Sequence, residues 1–427
     1  MDTLQVAQRD EKKNRSAVWS LIWLCWLAYS ASYLGKVNYA ANINQIMDFY
    51  SVSHAEAGLV STFLFFSYGA GQFINGAFCK RYNIRWMIAI SLIGSGIINL
   101  LVALTPSFAI VKWLWLLNGL FLSVLWATVI RLLSETLSKR DMAKASVTMG
   151  TTVATGTVII YALSAVFVSF GVFRLAFWVA AIAMPAVALI WFFAMPHLVK
   201  NAREASRQYE EEDIAVIRHP ERKTTARVEK KLLYLAIGVF TVIAAAVNLI
   251  ADGLKTWVPA IFKENYSMDA SMSIVLSIAL PLVAVFGNLF AVTMHKKIPD
   301  FVMQCVFAFA LSGGIIGIVI AGLSTGMFIL TLVCFALVCF LIGSCNSLIT
   351  SIFPLFMKDK VNSGMIAGVL NGCCYIGSTI SSYGLGLVAD AWGWNAVFIL
   401  LLGVCVLICF IGLVYYCIKR VMQKNAK

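Results

Sequence analysis

The stretch His197–Lys231, HLVKNAREASRQYEEEDIAVIRHPERKTTARVEKK, is the one long polar interval in an otherwise apolar chain. It carries Glu210, Glu211, Glu212 and Asp213, then Arg218, Arg222, Lys223, Arg227, Lys230 and Lys231. Outward from it, apolar runs recur with only short polar breaks. Runs 1 to 6 precede it, at 17–41, 55–79, 86–106, 110–134, 145–169 and 174–196. Runs 7 to 12 follow it, at 232–262, 271–294, 301–323, 326–353, 363–389 and 395–418. A membrane helix needs about 20 apolar residues, which each run supplies. The expected fold is all-α and membrane-embedded, with twelve transmembrane helices in two pseudo-symmetric six-helix bundles. The expected organisation is an N-tail 1–16, a first bundle 17–196, a linker 197–231, a second bundle 232–418 and a C-tail 419–427.

Composition points the same way. Of 427 residues, 61% are hydrophobic and 12% charged, with a mean hydropathy of +0.86. Soluble domains carry about twice that share of charge. A soluble enzyme, a nucleic-acid reader, a disordered chain and a secreted disulfide scaffold are all excluded. The lipid bilayer is the expected surround, and the net charge of +13 is expected to reflect topology rather than nucleic acid. No cleavable signal peptide follows from the first run, because no small-residue cleavage site ends it.

The placement of positive charge sets the orientation. If both termini are cytoplasmic, the N-tail holds four Lys or Arg, the 2–3 and 4–5 loops three each, and the linker nine. The 8–9 and 10–11 loops hold two each and the C-tail four, making 27. The opposite loops hold three: Lys112, Arg174 and Lys263. Cytoplasmic loops are the positive ones, so both termini are expected in the cytoplasm. Six plus six helices around a cytoplasmic linker is the plan of the major facilitator superfamily. Other twelve-helix carriers commonly have broken helices or an uneven split, and neither is expected here.

Three basic residues remain, Lys36, Arg131 and Lys255, each inside a run. A charge at mid-bilayer costs about 2.5–3.5 kcal/mol on insertion scales, so each needs a reason. Lys36 sits among Tyr29, Tyr33, Asn38, Tyr39 and Asn42, a composition that suits a wet cavity wall. Snorkelling to the outer interface is the plainer alternative. On run 7, Asn248, Asp252 and Lys255 share one helical stripe, and Asp252 can pair with Lys255. That pair is either structural or part of a substrate or proton site. With run 7 treated as the repeat of run 1, Lys36 maps onto Ala251. Lys255 is then about 6 Å, one helical turn, further along the same face. Two lysines facing one cavity call for an anion, each contact at about 4 Å being worth about 4 kcal/mol at an effective dielectric near 20. Arg131 and Glu135 form an i,i+4 pair at the end of run 4, expected to be structural or gating.

The eleven cysteines show no metal-ligand spacing and are expected to be free, mostly buried thiols. His54, His197, His219 and His295 fall in loops or at interfaces, where a solvated imidazole is the default and no metal site is expected. No cofactor is implied. No G-x-x-x-x-G-K-[ST] loop is present to bind a nucleotide triphosphate, which disfavours an ATP-driven pump.

The chain resembles the organophosphate:inorganic phosphate antiporters of the major facilitator superfamily. The resemblance rests on Tyr29, Tyr33-Leu34, Lys36 and Asn38 in run 1, and on Tyr68-Gly69, Gly76, Arg81, Asn83 and Arg85 in and after run 2. It extends through Trp126 and Arg131, Ser138-Lys139-Arg140, Gly253, Trp257 and Lys263-Glu264. Run 11 adds Ala367-Gly368, Gly372, Tyr375-Ile376-Gly377, Asp390, Gly393-Trp394 and Phe398. In that family a run 1 arginine and a run 7 arginine bind the substrate phosphate, supported by a run 5 histidine and cavity tyrosines. By position, the resemblance gives Lys36 the first arginine's role and makes Tyr29, Tyr33, Tyr68 and Tyr375 cavity aromatics. The run 7 arginine is Ala251 here, the tyrosine before it Asn248, and the run 5 histidine Thr152. Lys255 stands where the family often has an acid, and Gln72 where the glycerol-3-phosphate carrier has a lysine. The 2–3 loop pattern keeps Gly76, Arg81 and Arg85 but replaces its acid with Lys80, so the gating charge relay must differ.

The resemblance therefore implies a secondary carrier that exchanges a phosphorylated metabolite for phosphate, working as a monomer. Lys36, Lys255, Tyr29, Tyr33, Tyr68, Thr152, Asn248 and Tyr375 are the expected substrate contacts, and Asp252 the coupling or ion-pair residue. Lys80, Arg81, Arg85, Arg131 and Glu135 are the expected gating residues. Two alternatives stay open: a proton-coupled carrier for a carboxylate or other solute, and a transporter-like sensor of phosphate esters. Short loops and the absence of an organelle signal suggest a bacterial plasma membrane.

Overall fold

The computed structural model describes residues 2–78, 82–213, 227–295, 297–353 and 363–424, and these are almost wholly helical. In the half before residue 214 the helices are α1 (Asp2–Leu34), α2 (Asn38–Ala41), α3 (Ile43–Tyr50), α4 (His54–Phe78) and α5 (Ile84–Leu104). They continue with α6 (Phe108–Ser123), α7 (Leu125–Thr136), α8 (Lys139–Met149), α9 (Thr152–Ser169) and α10 (Leu175–Asp213). After residue 226 come α11 (Arg227–Tyr266), α12 (Ala270–Ser277), α13 (Ala279–His295), α14 (Phe301–Thr325), α15 (Phe328–Ser347) and α16 (Ser363–Lys424). Eleven stretches of the described residues are long and apolar enough to cross a membrane. The last of them spans 57 residues, Gly368–Lys424. It contains Gly393 at φ 74°, where the helix is broken.

The helices reach beyond the apolar runs at two places. The polar residues ahead of run 1 are helical from Asp2 and continuous with it in α1. The linker is likewise entered from both sides, by α10 as far as Asp213 and by α11 from Arg227. Its middle lies outside the described residues. Both extensions have one cause: Lys, Arg, Glu and Gln are good helix formers, and prolonging an existing helix avoids the cost of nucleation.

The expectation of unbroken helices fails. Run 1 stops at Leu34 and restarts at Asn38, run 4 is split at Val124, and run 5 is split at Gly150-Thr151. Run 8 is split at Ile278, and run 10 ends in a π-helical turn, Leu348–Ile352. Irregular backbone at membrane depth is tolerated where protein or a wet cavity satisfies the freed groups.

Within the first half α1 packs on α9 and α10, α4 on α6, and α5 on α10. Leu21, Ile22, Leu92, Leu133 and Trp191 are among its core residues, each below 1% exposed. Within the second half α11 packs on α16, α13 on α15, and α14 on both α15 and α16. The halves meet where α4 lies along α16 and α9 faces α12 and α13. At the end where α4 begins, called here the His54 end, one apolar cluster runs through both halves. It joins Tyr39, Ile46, Val60 and Trp115 to Trp257, Val258, Ile261 and Phe335. Gly58 is required in this seam, because a Cβ there would collide with the Ser382 carbonyl of α16.

Candidate binding cavity between the halves

The break after Leu34 builds the site. It leaves the Gly35 carbonyl unpaired inside the bundle, and an unmet buried acceptor costs about 1–3 kcal/mol. Two asparagines meet it: Asn118 Nδ2 donates at 2.8 Å and Asn99 Nδ2 at 3.2 Å. Asn99 Oδ1 accepts from Asn38 Nδ2 at 2.7 Å, and Ser95 Oγ donates to Asn118 Oδ1 at 2.5 Å. A Cβ at Gly35 would stand 2.5 Å from Met184 Sδ and 2.6 Å from Asn99 Nδ2, so a larger residue there would displace the amide that holds the break. A hydrogen-bonded frame thus fixes the break, and Lys36 leaves the helix at a set point.

Lys36 emerges into a cavity of about 550 Å³ lined by both halves. Its side chain is enclosed, the residue being 9% exposed. The ammonium lies 3.9 Å from the ring centre of Tyr68, 5.3 Å from Tyr33 and 5.7 Å from Tyr375. No carboxylate of the described residues pairs with it. The tyrosine faces take that part, each being worth about 0.5–2 kcal/mol to a cation. Tyr29 completes the aromatic wall, 5.6 Å from Tyr33 and 4.9 Å from Trp126 between ring centres.

The second half contributes a polar stripe from α11. Lys255 Nζ donates to Asp252 Oδ1 at 3.3 Å. Asp252 Oδ2 accepts from Ser378 Oγ at 2.6 Å and from Asn248 Nδ2 at 3.3 Å. Among the described residues, Lys36, Lys255 and Asp252 are the charged ones of the lining, and together they give it a net charge of +1. From these residues the lining extends toward Thr350, Gly368 and Asn371, away from the His54 end. On that side Asn371 Nδ2 donates to Gln72 Oε1 across the halves at 2.7 Å, and the Tyr68 and Tyr375 rings stand 4.7 Å apart.

Of the expected contacts, Lys36, Lys255, Tyr29, Tyr33, Tyr68, Asn248 and Tyr375 line this one cavity together with Asp252. Thr152 does not. It is fully buried, and its hydroxyl donates back to the Met149 carbonyl at 2.5 Å. The break before it turns Gly150, Val153 and Thr157 to the cavity instead. Arg131 and Glu135 do pair, Nε to Oε1 at 2.7 Å within α7. Arg85 Nε donates to the Phe192 carbonyl at 2.7 Å, and its guanidinium lies 3.8 Å over the Phe192 ring. Those partners lie within the first half. Lys80 and Arg81 fall outside the described residues, as does the charge relay they would form.

The reading of His54 as a solvated imidazole is overturned. Its Nδ1 lies 2.6 Å from Asp390 Oδ1 and its Nε2 2.7 Å from Glu264 Oε1. Both carboxylates come from the other half. Asp48 and Lys263 make a second cross-half pair nearby at 2.6 Å. Sequence reasoning missed this cluster because its members are remote in the chain. It also missed Ser95, Asn99 and Asn118, although an asparagine in mid-run was a usable signal: a buried amide needs partners.

Comparison with known proteins agrees with this architecture. A family profile described as Major Facilitator Superfamily matches residues 25–382. A "Probable hexose phosphate transport protein" of Chlamydia pneumoniae is 22% identical over 425 residues, covering 93% of this chain and 91% of that protein. The "Membrane sensor protein UhpC" of Escherichia coli K12 is 32% identical over 96 residues, 22% of either chain. Among solved structures, a bacterial homolog of the human lysosomal transporter Spinster, in an inward-facing and occupied conformation, superposes with a TM-score of 0.69. It shares 13% identity over 95% of this chain and 96% of that one. The resemblance to organophosphate antiporters read from the sequence is thus matched by relatives with sugar-phosphate names.

Proposed function

Because the chain belongs to the major facilitator superfamily, and is therefore a multi-pass membrane transporter and not an enzyme, we infer that it carries a small organic anion by alternating access. The substrate class is a phosphorylated metabolite of the sugar-phosphate type, exchanged for phosphate. The observation that carries this reading is the pairing of Lys36 from the first half with Lys255 from the second around one cavity of net charge +1. The names of the relatives support the phosphate class. In this reading the chain crosses the membrane twelve times, α16 crossing twice around Gly393. The two bundles are 17–196 and 232–418, both termini are cytoplasmic, and the protein works as a monomer in a bacterial plasma membrane.

The residues then divide the work. Lys36 has no carboxylate partner among the described residues and meets the anion first, with the tyrosines receiving the organic part. Lys255 turns from Asp252 to the anion as the halves close on it. Asp252 keeps two neutral donors, Ser378 and Asn248, so losing Lys255 leaves it hydrogen-bonded. A lysine is a point charge without the two-pronged fit of arginine, which favours tolerance among phosphate esters over selection of one.

The test is counterflow in proteoliposomes loaded with phosphate, with thermal shift of the purified protein against phosphate, sugar phosphates, glycerol-3-phosphate and matched carboxylates. A ligand at about 100 times its Kd adds about 2.7 kcal/mol of stability. Phosphate-ester hits with counterflow support the reading. Hits limited to carboxylates, with proton-driven uptake, would replace it with the proton-coupled alternative. Binding without flux would replace it with a sensor, the reading favoured by the local similarity to UhpC.

A further inference from the structure

We propose that His54, Glu264 and Asp390 form a proton-binding site whose occupancy is tied to closure of the His54 end, so that opening that end releases a proton. The proposal is independent of the identity of the substrate and of the anion cavity.

Hydrogen-bonding capacity limits how these three groups can meet. A neutral imidazole has one N–H and one lone pair, and an ionised carboxylate can only accept. Yet both ring nitrogens of His54 are within hydrogen-bond reach of a carboxylate oxygen, at 2.6 Å and 2.7 Å. With a neutral ring and two ionised carboxylates, one lone pair would face another at that distance. One extra proton removes the conflict, whether it rests on the ring or on a carboxyl group. The bound proton belongs to the cluster, and no single residue need own it.

The surroundings hold the three groups in place. Asp390 also caps the start of α4, accepting from the His54 N–H at 3.1 Å and the Ala55 N–H at 2.8 Å. Glu264 Oε2 accepts from Trp394 Nε1 at 2.8 Å. The imidazole is boxed by Trp257 and Trp394, with ring centres 5.6 Å and 5.4 Å away. The charged groups facing the cluster can be named for each packed element. On α4 itself Glu56 accepts from the Ser53 N–H at 3.0 Å. On α11 there is Lys263 beside Glu264, and Lys263 is engaged by Asp48 of α3. On α16 there is Asp390. The helix N-terminus disfavours a cation at His54, and two carboxylates at contact distance outweigh it.

His54 is on the first half, whereas Glu264 and Asp390 are on the second. Separating the halves at this end must dissolve the site and return each group to water. An imidazole in water titrates near 6.5. The closed end therefore holds a proton that the open end gives up above about that pH. The sign follows: closure is favoured at low pH and weakens as pH rises through the titration of the closed cluster. Within that window the ratio of open to closed changes by about tenfold per pH unit, one proton being linked to the transition.

The test uses the full chain in lipid nanodiscs without substrate. A fluorophore pair is placed by non-canonical amino acids at Phe170 and Met327, exposed positions on opposite halves. Both lie toward the His54 end, through Phe173 against Phe49 and through Phe328 against Tyr266. The expected result is a transfer efficiency that falls between pH 5.5 and 8.5 as the end opens. His54→Gln should flatten that dependence, and Glu264→Gln should move its midpoint to lower pH. Two results would overturn the proposal: a wild-type distance that ignores pH, or a His54→Gln protein that keeps the wild-type midpoint. Should His54→Gln fail to fold, the Glu264→Gln midpoint decides alone, an unmoved midpoint counting against the site.

Discussion

The cavity and the His54 end are built on opposite principles, though the same helices form both. Around the cavity the charge is left incomplete: Lys36 meets three tyrosine faces and no described carboxylate. At the His54 end the balance runs the other way. His54, Glu264, Asp390, Asp48, Lys263 and Trp394 all find partners, most of them across the seam. Incomplete charge leaves a vacancy for a ligand of opposite sign. A completed network resists separation until something, here a proton, leaves it. Buried polar groups are costly when unmet and cohesive when met, and the molecule uses one condition in each region.

That contrast can be broken deliberately. The largest effect is expected from Lys36→Gln, which removes the incomplete charge. Anion-dependent counterflow should fall about 100-fold or more, with expression unchanged, because about 3–4 kcal/mol of contact is lost at the effective dielectric of such a site. Retained uptake would sink the assignment. Next comes the frame beneath it. Asn118→Leu strips a donor from the Gly35 carbonyl and should lower stability by about 1–3 kcal/mol, seen as a drop in Tm. It should also weaken substrate binding, as Lys36 loses its fixed exit.

Asp252→Asn probes the cavity wall from the other side. It raises the net charge of the wall and frees Lys255, so binding of phosphate should tighten by about tenfold, on the order of 1.4 kcal/mol. Isothermal titration would record it, and unchanged or weaker binding would mean that Asp252 is not the resting counter-ion. The smallest effect belongs to Lys263→Gln. Its pair with Asp48 is partly exposed, and such pairs contribute about 0–1 kcal/mol. A small Tm change, with the pH response of the His54 end intact, would confine proton sensing to the histidine cluster.

Much of this was legible along the chain. The apolar runs, the polar interval at 197–231 and the asymmetry of Lys and Arg required no tertiary knowledge, because lipid imposes length and polarity on each segment independently. The stripe of Asn248, Asp252 and Lys255 was equally visible, since neighbours three and four apart share a helix face. The pairing of Lys36 with a cavity was a fair inference, because an intramembrane charge demands a reason.

Other features depended on contacts between residues far apart in sequence. Thr152 occupies the position a resemblance would assign to the site, yet the break at Gly150-Thr151 turns its hydroxyl to its own backbone. His54 reads as a loop imidazole until α11 and α16 bring two carboxylates to its nitrogens. The break that presents Lys36 is held by Asn99 and Asn118, and nothing local to Gly35 announces them. The sequence determined what must lie in the membrane and which charges are anomalous there, because transfer from water is a property of single residues. Which of those charges are answered and which are left open depends on the folded arrangement, because a hydrogen bond is a property of pairs.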